Sequence, residues 1–161
     1  MVDQQQDTFP TSLDDRASFL LSSLGAQSAR KFSERLAPLG VQPSHFGLLM
    51  HLVREDGQSQ QQLADLLGIH RNVMVGLVDD LERRGLVERR RHPADRRAHA
   101  IHLTASALKL LHDANRLADE QEAELFSGMS ADDRARLIGL LKRLARSADD
   151  HPGVHSGLSR H

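Results

Sequence analysis

Apolar residues recur at intervals of three and four along most of the chain, which is the spacing of a buried helical face. A first long helix is predicted from Ser12, which resembles a helix cap, to a break at Pro38 and Gly40. A second helix is predicted to begin at Pro43, because the fixed φ of proline suits the first helical position. The residues expected to face inward from this second helix are Phe46, Leu49, Met50 and Val53.

Two shorter helical patterns follow, separated by the tight connection "LGIH". The first starts with a capping-box pattern formed by Ser59 and Gln62 and is predicted to end at Gly68. The second is predicted from about Arg71 to Arg84. Its apolar positions, which fall on one side of a helix, are Met74, Leu77, Val78 and Leu81. Such a pair of helices is typical of a helix-turn-helix.

The segments "LVERRR" and "HAIHL" combine β-branched residues with alternation, and they flank a loop that contains Pro93. They predict a β-hairpin. Two more helices are predicted after it, the first capped by Thr104 and the second beginning near Ser130. Both contain a seam of positions spaced as in a coiled coil. The seam positions are Ala107, Leu111, Ala114, Ala118, Gln121 and Leu125, and then Leu137, Leu141, Leu144 and Ala148.

The order of elements predicts a mainly α protein: a winged helix-turn-helix whose β-hairpin is the wing, flanked by long N- and C-terminal helices. Residues at both ends lack periodic apolar positions and are predicted to be mobile tails. The predicted divisions are a tail at 1–11, an N-terminal helix at 12–40, a winged domain at 41–103, C-terminal helices at 104–149 and a tail at 150–161.

Positive charge is concentrated in one segment, although the formal net charge of the chain is only −1. Seven arginines lie between Arg83 and Arg97, against the two acidic residues Glu88 and Asp95. The total charge predicts no general attraction to nucleic acid, but a local basic hairpin can contact phosphates. The absence of cysteine, of an amino-terminal leader pattern and of any long apolar run predicts a cytoplasmic protein.

The outward face of the fourth helix is the first candidate for nucleic-acid recognition. Turning Met74 and its apolar neighbours inward leaves Arg71, Asn72 and Val75 outward. Arginine can donate to guanine O6 and N7, asparagine can pair with adenine, and valine can touch a thymine methyl group. An ordinary amphipathic surface helix would show the same face, so this pattern alone leaves both interpretations open.

The hairpin favours the nucleic-acid interpretation, because a narrow basic tip suits a minor groove. Asp95 lies two residues from Arg97 and could orient that guanidinium. The other candidate DNA contacts are Ser59, Gln60, His70, Arg89, Arg90 and Arg96. Ser59 and His70 could equally be helix caps, and a run of arginines could be simply solvated.

The segment "LADLLGIHRNVMVGLVDDLERRGLVERRRHPADRRAHAIHLT" resembles the MarR family of bacterial transcription regulators. The resemblance lies in a recognition helix, a Gly-Leu-Val start to the wing, the tip Asp95, Arg96 and Arg97, and a Leu-Thr pair that opens the next helix. It extends to the order of helices over most of the chain. The recognition helix departs from the family pattern at His70 and Gly76, so the resemblance does not supply an operator sequence.

The resemblance implies a homodimeric, sequence-specific DNA-binding regulator, with helices near both chain ends in the interface and two winged domains reading a pseudopalindrome. It implies that Arg97 enters the minor groove with Asp95 as its orienting partner. The expected function is a repressor relieved by a small aromatic or phenolic effector, which would lie in a crevice of the first, second and fifth helices. Arg16 and His45 are the candidate ligand-binding residues, although each could be an ordinary surface residue.

Two other classes of function remain as alternatives. A winged helix could present its basic hairpin to RNA or to a protein. An enzyme or a metal-storage protein could use the ten histidines. However, the chain has no nucleophile elbow, no His-Glu-x-x-His pair and no phosphate-binding glycine loop, and His99 and His102 fall on opposite faces of a strand. No catalytic residue, metal site or cofactor is therefore predicted.

Overall fold

The computed structural model describes residues 12–91 and 99–147, and the fold they form is the predicted one: mainly helical, with a small antiparallel sheet. Its elements are α1 (Ala17–Leu36), α2 (Pro43–Arg54), β1 (Gln58–Ser59), α3 (Gln60–Leu67), α4 (Arg71–Arg83), β2 (Val87–Arg91), β3 (His99–Leu103), α5 (Ala105–Leu125) and α6 (Ala131–Ser147). Both predicted tails lie outside the described residues, and the division into domains stays a prediction. Every helix in residues 12–91 and 99–147 is too short or too polar to cross a membrane.

The first helix begins later than its cap suggested. Ser12 caps a single 3₁₀ turn, Leu13–Asp15, by accepting a hydrogen bond from the Asp14 N–H at 3.1 Å. The α-helix starts only at Ala17 and passes into a second 3₁₀ turn that Gly40 ends with a φ of 70°. The predicted break near Pro38 and Gly40 is therefore confirmed.

α2 begins at Pro43 as predicted, but its buried face lies one residue earlier than expected. The buried positions are His45, Leu48, Leu49 and Leu52, whereas Val53 is 49 % exposed. The prediction of Val53 as an inward residue was wrong. The buried face of α2 begins with a polar residue, His45, so the apolar residues alone indicate a face turned by one position. α2 lies at the centre of the molecule, in contact with α1, α4, α5 and β3.

The helix-turn-helix forms as its capping residues predict. The Ser59 hydroxyl accepts from the Gln62 N–H at 3.2 Å, and the Gln62 side chain accepts from the Ser59 N–H at 2.8 Å. Gly68 ends α3 with a φ of 61°, a left-handed conformation that glycine adopts without strain. α4 then buries Met74, Val78 and Leu81 in the core.

The sheet has the order β1-β3-β2, and all of its pairs are antiparallel. The predicted hairpin is confirmed, with Val87 opposite Leu103 and Arg89 opposite Ile101. The strand β1 was not predicted. It has two residues, which is too short for an alternating pattern to show, and it pairs Gln58 with Ile101.

The two halves of the α5 seam have different surroundings. Ala107, Leu111 and Ala114 are buried in the core of the chain itself, and α5 contacts α2 there. Further along, Gln121 donates to the carbonyl and hydroxyl oxygens of Ser28 on α1, both at 3.1 Å. α6 buries none of its described residues within the chain. The start of the seam on α5 therefore packs within the chain, whereas the seam residues that the structure describes on α6 are not buried by the chain itself.

Candidate nucleic-acid interface

The exposed face of α4 carries the predicted recognition residues. Arg71, Asn72 and Val75 are all exposed, while Met74 and Val78 face the core. The predicted orientation of this helix is therefore confirmed. Two hydrogen-bonding side chains and one apolar side chain lie on one solvent-facing surface, the combination that can read base edges in a major groove.

The capping residues of the helix-turn-helix have structural roles in the free chain. Ser59 caps α3, and the His70 ring nitrogen Nδ1 accepts from the Asn72 N–H at 3.3 Å at the start of α4. Both residues were predicted as caps or as DNA contacts, and the cap geometry is compatible with either. Gln60 is half-buried, and its side-chain nitrogen has no hydrogen-bond partner among the described residues.

Carboxylates pair with most of the arginines that the structure describes in the basic segment. Asp80 accepts from Arg83 at 2.8 Å and from Arg84 at 2.7 Å. Glu88 pairs with Arg90. The remaining described arginines of the segment are Arg89, which pairs with Asp79 and Glu82, and Arg91, which has no ion pair with another described residue. The described part of the segment, residues 83–91, is therefore less electropositive in three dimensions than its sequence suggests.

Arg89 differs from its neighbours in burial. Its side chain is 19 % exposed, against 61 % for Arg90. Burial alone would lower the pKa of Arg89, but its hydrogen bonds to Asp79 and Glu82 outweigh that effect and raise it. Exposed ion pairs contribute about 0–1 kcal/mol, so a phosphate can compete for Arg90 far more readily than for Arg89.

The predicted wing tip, formed by Asp95, Arg96 and Arg97, lies outside the described residues. Its expected role therefore rests on the sequence and on the family resemblance. The strands that carry this loop, β2 and β3, are described up to Arg91 and from His99. Arg91 and His99 therefore lie at the end of the sheet that is opposite to the start of α5.

A cavity of about 640 Å³ lies behind α4, between the end of α1 and the start of α2. Its lining includes Ser33, Gln42, His45, Val73, Asp80 and Arg84. This cavity is bounded by α1, α2 and α4, and a smaller one of about 190 Å³ lies between α1 and α5. The effector crevice among the first, second and fifth helices stays a prediction. Arg16 precedes α1, roughly 25 Å along the helix axis from Ser33, and does not line the cavity.

His45 is held in one tautomer by two contacts. Its Nδ1 accepts from the Gln42 N–H at 3.0 Å, so the ring proton lies on Nε2, which faces an Asp80 oxygen at 3.1 Å. Burial lowers the pKa of His45, Asp80 partly opposes this and Arg84 adds to it. A hydrogen bond from Arg84 lowers the pKa of Asp80. A neutral imidazole beside an ionised carboxylate is the arrangement that these contacts favour.

We expect acid to destabilise the fold through His45. The folded state holds the pKa of His45 below that of the unfolded chain, about 6.5, so protonation favours unfolding as the pH falls through that value. The urea midpoint should therefore fall between pH 7.5 and pH 5.5, and the fall should be smaller in His45→Gln. His112→Gln removes a histidine whose side chain is 87 % exposed and should keep the full pH dependence. Equal pH dependence in both variants would contradict this prediction.

A helix-turn-helix followed by an antiparallel wing, with an exposed polar face on its second helix, defines a winged helix-turn-helix protein. The sequence model described as the MarR family matches residues 39–98, which include the whole helix-turn-helix. A protein from Thauera aromatica, the proposed transcriptional regulatory protein for the hcr operon, is 34 % identical over 113 residues, which cover 70 % of this chain and 68 % of that protein. The chain belongs to the MarR family of transcriptional regulators.

Two solved structures are similar to this chain over nearly their whole length. The transcriptional repressor CouR bound to a 23-mer DNA duplex is 32 % identical, with a TM-score of 0.77 over 83 % of this chain and 94 % of that chain. CouR from Rhodococcus jostii RHA1 bound to p-coumaroyl-CoA is 30 % identical, with a TM-score of 0.74 over 84 % and 96 % of the two chains. The similarity includes the helices on both sides of the winged domain.

Proposed function

We propose that this regulator is a homodimeric, cytoplasmic repressor that binds a pseudopalindromic operator and leaves it when a small effector binds. The observation that carries the proposal is the exposed face of α4, where Arg71, Asn72 and Val75 are free to meet base edges. A DNA-bound relative that is 32 % identical supports the same use of the fold. Residues 41–103 would form the DNA-binding domain.

The remaining contacts divide into two groups in this proposal. Ser59, Gln60 and His70 lie at the helix starts, where backbone N–H groups and short side chains can donate to phosphates. Arg90 on the wing strand would contact the DNA backbone. Arg96 and Arg97 would enter the minor groove, and Asp95 would orient Arg97.

The flanking helices support the homodimer. Large apolar residues are exposed on the first half of α1, where Leu24 is 53 % exposed, and on α6, where Leu144 is 50 % exposed. Exposed apolar surface of this extent on two helices is typical of an interaction surface. Residues 12–40 and 104–149 would form the dimer, and the twofold axis would set the two winged domains on half-sites about 34 Å apart.

The cavity beside His45 supports the effector part of the proposal. Its volume is that of a small-molecule site, and it touches α4 directly, so an occupant could displace the recognition helix. A small aromatic or phenolic compound is the proposed effector. CouR, the relative described above, is known bound to p-coumaroyl-CoA, which makes that compound the first probe. The other candidate ligand residue, Arg16, lies at the far end of α1 from this cavity.

A fluorescence-anisotropy titration tests the proposal. The purified protein is titrated with duplexes from the region upstream of its own gene and with a scrambled duplex at the same salt concentration. We expect one dimer per pseudopalindrome, with a preference of about a thousandfold over the scrambled duplex. Weak and equal binding to both would contradict DNA recognition and favour an RNA or protein partner. Addition of p-coumaroyl-CoA to the complex then tests relief by an aromatic thioester.

A further inference from the structure

We propose that Arg89 is a positioning residue, which fixes the recognition helix α4 against the wing and thereby sets operator selectivity, without itself contacting DNA. This inference rests on the proposed function. It assigns Arg89 a role different from the phosphate contact that the sequence suggested.

The strand directs Arg89 inward. Alternation along β2 places Arg89 on the same face as Val87, which is 2 % exposed. Directly opposite on β3 lies Ile101, which is fully buried. Side chains directly opposite each other in an antiparallel pair share a face. Arg89 therefore lies on the buried part of this face, Arg91 lies on the same face at its exposed end, and Glu88 and Arg90 lie on the other face of the strand.

Two carboxylates from α4 hold the guanidinium of Arg89. One of its terminal nitrogens donates to Glu82 and the other donates to Asp79. The second oxygen of Glu82 accepts from the backbone N–H of Arg89 at 3.2 Å. Glu82 therefore binds both the side chain and the backbone of one wing residue. A guanidinium that is mostly buried and already paired with two carboxylates has little capacity left for phosphate.

The neighbouring residue Asp80 anchors the opposite flank of α4. It contacts His45 on α2 at 3.1 Å and Arg84 at 2.7 Å, and Arg84 in turn donates to the Gly40 carbonyl at 2.5 Å. The consecutive residues Asp79 and Asp80 thus anchor α4 to the wing on one side and to the start of α2 on the other. Contacts on two flanks oppose rotation of the helix about its own axis.

Rotation of α4 would change which groups meet the bases. Side chains extend about 5–6 Å from a helix axis, so a rotation of about 10° moves their tips by about 1 Å. A shift of that size is enough to lose a bidentate hydrogen bond to a base. The clamp formed by Arg89, Asp79 and Glu82 therefore affects discrimination between sequences more than attraction to the DNA backbone.

Variants of Arg89 and of Glu82 distinguish a clamp on α4 from a direct contact between Arg89 and a DNA phosphate. Arg89→Gln removes the cation, and Arg91→Gln, two residues along the same strand, removes an equal charge from a side chain with no described ion pair. Glu82→Ala breaks the clamp while removing a negative charge, so electrostatics alone would tighten binding to every duplex. Arg89→Lys keeps the charge but loses the planar, two-pronged geometry. Circular dichroism melting confirms that each variant is folded.

Dissociation constants for operator and scrambled duplexes are measured at several salt concentrations. We expect Arg89→Gln and Glu82→Ala to lower the operator preference by about tenfold or more, Arg89→Lys by less, and Arg91→Gln to leave it unchanged. The proposal is overturned if Glu82→Ala tightens both duplexes with its preference intact. It is also overturned if Arg89→Gln weakens both duplexes equally and reduces the salt slope by about one, because Arg89 would then be a phosphate contact.

Hydrogen exchange without DNA keeps this test separate from the proposed function. In Arg89→Gln, amides of residues 79–91 should exchange about tenfold faster, while those of α5 should be unchanged. Unchanged exchange in residues 79–91 would overturn the clamp whatever the protein binds. Faster exchange in a protein that prefers no duplex would retain the clamp and reject the DNA-binding proposal.

Discussion

Replacement of Leu111 with Asp is expected to unfold the chain rather than only separate a dimer. Leu111 is 3 % exposed and belongs to the hydrophobic core that α5 shares with α2. Truncation of a buried leucine costs about 2–5 kcal/mol, and an unpaired buried carboxylate costs more. Because whole domains are stable by about 5–15 kcal/mol, the variant should lose most of its folded population. Far-UV circular dichroism and a urea titration measure this loss.

Leu125→Asp is the matched control on the same seam. Leu125 lies two heptads beyond Leu111 and is 43 % exposed, so a carboxylate there remains solvated within one chain. This variant should keep its helical spectrum, and its free energy of unfolding from the urea titration should stay within about 0.5 kcal/mol of the parent's. A Leu111→Asp protein that is fully folded but monomeric would place Leu111 in the dimer interface and contradict the structure.

The contrast between these two leucines shows what the seam could and could not predict. Spacing of three and four residues identifies the face of α5 that is apolar, and that face is the one observed. It cannot identify what covers the face, because α2 of the same chain and a helix of a partner require the same side chains. The phase of α2 was misjudged for a related reason: the stripe begins with His45, whose ring is buried only because Gln42 and Asp80 satisfy both of its nitrogens.

The recognition face was predictable because it depends on one helix alone. Once Met74, Val78 and Leu81 face the core, the helical repeat places Arg71 and Asn72 outward. The charge of the wing was not predictable in the same way. The window from Arg83 to Arg97 excludes Asp79, Asp80 and Glu82, which lie within about one helical turn before Arg83 on α4.

One signal in the sequence does point to the clamp. Alternation in "LVERRR" places Arg89 and Arg91 on the side of Val87 and not with Arg90, so the strand pattern makes Arg89, the nearer of the two to Val87, a candidate inward residue. Identifying its partners requires the turn between α4 and β2. There Gly85 has a φ of 70° and returns the chain alongside the helix. The contact between Arg89 and Asp79 therefore depends on the tertiary fold.

The paired substitution Leu141→Glu and Leu144→Glu on α6 is expected to abolish the proposed dimer and to weaken operator binding by about a hundredfold or more. Both leucines are exposed in the single chain, at 37 % and 50 %, so the winged domain should fold normally. In a dimer the same face would bury four carboxylates against apolar surface, which is strongly unfavourable. Sedimentation equilibrium gives the oligomeric state, and anisotropy gives the affinity for the operator.

The size of this effect follows from linkage between the two half-sites. A dimer that has bound one half-site presents its second winged domain at a high effective concentration, which increases affinity by about 10²–10⁴ without any new contact. Ala135→Glu with Gly139→Glu adds the same two charges to the opposite, exposed face of α6 and should leave both the dimer and its affinity unchanged. If the leucine variant remained dimeric, the interface would have to lie elsewhere, with the exposed apolar half of α1 as the next surface to alter. If it became monomeric yet kept full operator affinity, each winged domain would bind DNA independently, and the twofold arrangement of half-sites would not contribute to recognition.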